Sequence, residues 1–112
     1  MTMGHAKVYQ VVSAVVPCAH MAWVDDSAPN LPWAVYYGDD RDEWADNARI
    51  AVRHNWTVEL YEKRRNKELE IALGNAIEAA FGGYTRRESW VESEQCLMIS
   101  YDFDEIEGEF DG

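Results

Sequence analysis

Two periodicities alternate along the chain. Val8, Val11, Val12 and Val15 recur at the spacing of one helical face. Four β-branched residues are reluctant helix formers, yet the spacing predicts a first helix, which Pro17 ends. "CAHMAWV" then reads as a short strand before the turn-forming run "DDSAPNLP". Leu31 to Tyr37 reads as an aromatic strand, with Pro32 at its start or on an edge. The clearest strand spans Arg49 to Lys63. Its even positions Ile50, Val52, His54, Trp56, Val58 and Leu60 are apolar apart from the histidine, whereas Arg53, Asn55, Thr57, Glu59 and Lys63 are polar.

The period then returns to that of a helix. Leu69, Ala72, Leu73, Ala76, Ile77 and Ala80 mark one face, Asn66 can cap the start, Glu68 and Glu70 suit the positive end, and Gly82 with Gly83 stops the helix. A strand near Glu88 to Glu92 and a short turn follow, and a last strand directs Leu97, Ile99, Tyr101 and Phe103 inward. The order predicts an α+β fold: a mixed or antiparallel sheet of about four to five strands with two helices packed on it. Residues 1–104 form the single domain, and "EIEGEFDG" (105–112) reads as an acidic, mobile C-terminal tail.

Between the two central strands lies a burst of acid: Asp39, Asp40, Asp42, Glu43 and Asp46 within Gly38 to Asn47. The spacing predicts a connecting arm longer than a tight hairpin needs. Three uses are open for it: a metal or catalytic site, a mimic of nucleic acid, or a surface that contacts other copies of the chain.

Composition narrows the field. A chain of 112 residues makes one domain with a feasible core. Hydrophobic content of 47%, 12% aromatic residues and five Trp favour folding despite a net charge of −11. Ten bases against 21 acids exclude a general affinity for phosphate backbones or anionic membranes. No apolar run is long enough to span a bilayer and no leader pattern is evident, so the expectation is a cytosolic chain. Cys18 and Cys96 read as buried reduced thiols.

The residues that could carry chemistry lack the partners it needs. Cys18 and His20 could supply two zinc ligands, but no second pair stands at ligand spacing. His54 reads as a core histidine. "DFDEIEGEFDG" fails as a calcium loop, because the position that needs glycine is Glu107 and Gly108 comes one residue late. The loop acids could gather a hard cation, but nothing fixes their geometry. With no nucleophile or phosphate-loop motif, the expectation is a non-enzyme with no catalytic residue, cofactor or metal. Lys63, Arg64, Arg65, Lys67, Arg86 and Arg87 gather at the two ends of the second helix. Such a patch either faces water or meets the acidic arm of another copy, head to tail.

"LPWAVYY" before the polar arm, "WTVELYEKRRNKELE" entering a helix, and "ESWVESEQCLMISYDFDE" near the end together resemble the small virion proteins of long-tailed bacteriophages, specifically tail-terminator or tail-completion (neck) proteins. The resemblance spans about residues 5–104 and rests on the order of these segments. It implies a subunit of a six-fold ring that caps the tail tube and faces the head-side connector. Its partners would then be further copies of itself, the tail tube protein and the connector protein. Its place would be the virion neck, after assembly in the host cytoplasm. On this footing Asp39, Asp40, Asp42, Glu43 and Asp46, with Trp44 as an apolar anchor, would contact a neighbouring subunit or the tube, and Lys63, Arg64, Arg65, Arg86 and Arg87 would form the answering surface. The arm is more acidic and the tail more charged than the family pattern, which leaves open which of them lines the channel. Two alternatives stand beside this reading: another neck position such as the stopper ring, and an acidic inhibitor that occupies a host protein's nucleic-acid groove.

Overall fold

The computed structural model describes residues 3–23, 28–45 and 48–108, with side-chain surroundings for 6–23, 28–39 and 53–105. Among the described residues the elements are α1 (Met3–Ser13), β1 (Cys18–His20), β2 (Trp33–Ala45), β3 (Ala48–Glu62), α2 (Lys67–Phe81), β4 (Thr85–Val91) and β5 (Cys96–Gly108), with a short 3₁₀ turn at Glu92–Glu94. The five strands form one mixed sheet in the order β1-β2-β3-β5-β4. Only β1 and β2 run parallel; every other pair is antiparallel. The fold is therefore α+β, with two helices and a five-stranded sheet.

Strand alternation builds the core. Ala34 and Tyr36 on β2, Trp56, Val58 and Leu60 on β3, and Ile99, Tyr101 and Phe103 on β5 share one face and are buried beneath Val8 and Val12 of α1 and Leu73 and Ile77 of α2. The helices are held as their sequences direct. Asn66 accepts a hydrogen bond from the Leu69 N–H at 3.1 Å, and Gly82, with a φ of 98°, ends α2 in a conformation that favours glycine. Tyr101 ties helix to sheet, its buried hydroxyl donating to the Glu70 carbonyl at 2.8 Å.

Three expectations change. The acidic segment is not a free loop: Gly38–Ala45 is strand, paired with β3 from Trp56 to Ala48, with a register shift between Glu43 and Trp44. Main-chain pairing overrides the weak strand preference of successive acids. β5 likewise runs through Gly108, so residues 105–108, expected in a tail, pair with β3; residues 109–112 lie outside the described residues. The inward stripe of α2 is rotated: Glu70, Leu73, Gly74 and Ile77 are buried, whereas Ala72 is exposed. At the other strands the changes are small. β1 stops at His20, and β4 starts at Thr85 rather than near Glu88.

Candidate interaction surface

The long strands set the shape. Thirteen residues of β2 at about 3.3 Å each span about 43 Å, most of the molecule's 50 Å long axis. At Gly38 the strand passes directly beneath the Trp56 indole; a Cβ there would lie 2.6 Å from the ring and 2.5 Å from the Asn55 carbonyl oxygen. Glycine is thus required where β2 leaves the core. Beyond it the strand carries the predicted acids: Asp39 is exposed, and Asp40, Asp42, Glu43 and Trp44 are β2 residues whose side chains fall outside the described set. Asp46 lies outside the described residues altogether.

The basic candidates do not form one free patch. Arg86 donates to Glu70 at 2.7 Å and to Glu88 at 3.0 Å. Arg65 reaches the same two carboxylates, at 3.4 Å to Glu70 and by a short bond to Glu88. The two guanidiniums hold the Glu88 carboxyl below its usual pKa, and this four-membered clamp fastens α2 to β4. Arg87 lies on the opposite face, 3.0 Å from Asp102. Lys63 and Arg64 are exposed in the connection from β3 to α2.

Sequence reasoning missed two buried acids. Glu62 is 1% exposed and Glu70 4%. Among the described residues neither Glu62 oxygen has a partner in hydrogen-bond geometry, and the buried Oε2 of Glu70 is also unpaired. Burial first, and then the neighbouring Glu70 carboxyl, push the Glu62 pKa up to about 8. Glu62 could have been read from the sequence, because it continues the even positions of β3. Glu70 could not, because only the rotation of α2 turns it inward.

The sheet face away from the helices carries a polar ladder. Thr57 donates to Asp102 at 2.6 Å and Asn55 to Asp104 at 2.8 Å, each across a register pair. Tyr37 and Tyr61 both donate to Glu59 at 2.8 Å. A shallow depression of about 320 Å³ lies over this ladder.

His54 is buried on the helix-covered face beside Trp56, with ring centroids 6.3 Å apart. Burial raises both thiols, Cys18 to about 11, and both cysteines are free and buried. Among the described residues no cluster of three or more His, Cys, Asp or Glu side chains is placed to hold a metal. No helix among them is long and apolar enough to cross a membrane.

No protein-family model matches the chain, and no curated protein matches it in sequence. Among solved structures, a chain from the virion of a native gene transfer agent particle is similar to it, with a TM-score of 0.59 and 12% identity over 93% of this chain and 86% of that one. At that identity the likeness is one of fold, and it extends over nearly the whole of both chains.

Proposed function

We propose that this chain is a structural protein of a phage-like virion, a tail-terminator or tail-completion subunit that assembles into a ring joining the tail tube to the head-side connector. The observation that carries the reading is the near end-to-end fold likeness to a chain of a gene transfer agent virion. The resemblance in segment order points the same way. A long strand pair carrying the acids, held on a compact helix-covered body, supports a subunit built to meet other subunits. The role is non-enzymatic on this reading: the thiols are buried with raised pKa values, which keeps them protonated and poorly nucleophilic.

Light scattering across a concentration range, with negative-stain images of any large species, tests the proposal. Ring-shaped particles of uniform subunit number are expected, either alone or once tail tubes are added. A chain that stays monomeric and also leaves tail tubes unoccupied would overturn it. Capture instead on a host nucleic-acid-binding protein, in competition with DNA, would favour the acidic inhibitor.

A further inference from the structure

We propose that β4 of one copy adds to the outer edge of β2 of the next, so that the sheet continues from subunit to subunit. This rests on the reading of the chain as a self-assembling subunit and names the surface that would join the copies.

Among the described residues the sheet has two open edges. β4 closes one end of the strand order, and six of its seven residues are exposed. At the other end β1 pairs only with Ala34, Val35 and Tyr36. Among the described residues, Tyr37–Ala45 therefore has a strand neighbour on the β3 side alone. Seven residues on one edge face nine on the other, and the shared length is about 23 Å at 3.3 Å per residue. Exposed edges of this length present unpaired N–H and C=O groups, which natural proteins usually blunt. Here the residues that could blunt β4 are held elsewhere. Arg86 is drawn onto the helix-covered face by Glu70 and Glu88, and Arg87 onto the open face by Asp102.

Charge selects the pairing. β4 carries Arg86 and Arg87 against Glu88, a net of +1, whereas Tyr37–Ala45 carries Asp39, Asp40, Asp42 and Glu43 against Arg41, a net of −3. On β4 the arginines are already paired with Glu70, Glu88 and Asp102, so that edge is close to neutral and meets the acidic strand without the like-charge repulsion that two copies of Tyr37–Ala45 would suffer. The two edges sit at opposite ends of one sheet, so the contact is head to tail, the kind that closes into a ring when the rotation allows. Trp90, 52% exposed on β4, supplies an apolar anchor beside the joined edges.

Hydrogen exchange of the native chain, compared between dilute monomer and rings or tube-bound protein, tests the edge pairing. Amides of Tyr37–Ala45 and Thr85–Val91 should both slow by on the order of tenfold or more. Slowing in neither segment, or in one alone, would overturn the pairing while leaving a ring assembled by other contacts intact. Cross-linking gives a second measurement. Arg41 stands at the midpoint of Tyr37–Ala45 and Ser89 one residue past the midpoint of β4, and facing residues in adjacent strands lie within disulfide reach. The double variant Ser89→Cys, Arg41→Cys should give a covalent ladder of multimers on oxidation, since Cys18 and Cys96 are buried, and either single variant should give none. Dimers from a single variant would mark a like-with-like contact and overturn the proposal. A chain that never assembles removes both the pairing and the reading beneath it, a result distinct from rings without edge protection.

Discussion

The two faces of the sheet solve the same problem by different chemistry. On the helix-covered face Leu60, Val58, Ile99 and Tyr101 are fully buried, and removal of apolar surface from water holds the layers together. On the open face the same strands present Thr57, Asn55, Asp102 and Asp104, which bond to one another across β3 and β5. The contrast locates the charge. Asp102 and Asp104 of the open-face ladder are bonded within the sheet, whereas along Tyr37–Ala45 the sequence sets four acids against one base.

The largest expected effect tests the covered face. Leu60→Ala should cost about 2–5 kcal/mol in urea unfolding, the range for a fully buried leucine; a loss below 1 kcal/mol would mean that face is not the main source of stability. Gly74→Ala comes next. A Cβ there would collide with the Tyr84 hydroxyl, so a loss of about 1–3 kcal/mol is expected, and an unchanged melting temperature would show that the ring moves aside freely.

The third prediction concerns the acid buried in the covered face. The folded-state pKa of Glu62 is raised to about 8 from an ordinary 4.5, so between those values the folded chain binds the proton more tightly than the unfolded one. Its contribution is fully present below about pH 4.5 and is lost as pH rises through 8. Glu62→Gln should therefore gain in melting temperature relative to the parent chain as pH is raised from 5 to 9. A pH-independent difference between the two would contradict the raised value. The smallest effect belongs to the open face: Arg87→Ala removes an exposed pair with Asp102 and should change stability by about 0–1 kcal/mol. A larger loss in the same unfolding assay would make the ladder a main support of the fold rather than a finish on it.

What could be read from the sequence follows from which forces are local. β3 announced itself by alternation, and α2 by its Asn66 cap and Gly82 stop, because each signal is contained in a few neighbouring residues. The strand character of Asp39 to Glu43 was hidden, since it comes from partners on β3 such as Asn55 and Arg53 and not from the acids themselves. The clamp was hidden for the same reason. Arg65 meets Glu88 across 23 residues and Arg86 meets Glu70 across 16, so bases that stand together in sequence divide in space between the shared clamp and the Arg87–Asp102 pair. The candidate arm was thus recognised by its charge but not by its form.

That form has a mechanical side. β3 runs unbroken from the helix-covered body to the tip of the long strand pair, and twelve of its residues stand in register with β5. A pull on the tip along the strand axis loads that ladder in shear, so its hydrogen bonds resist together instead of opening one after another. A joint carried on such a strand pair would transmit tension into the core of the subunit without a hinge between them.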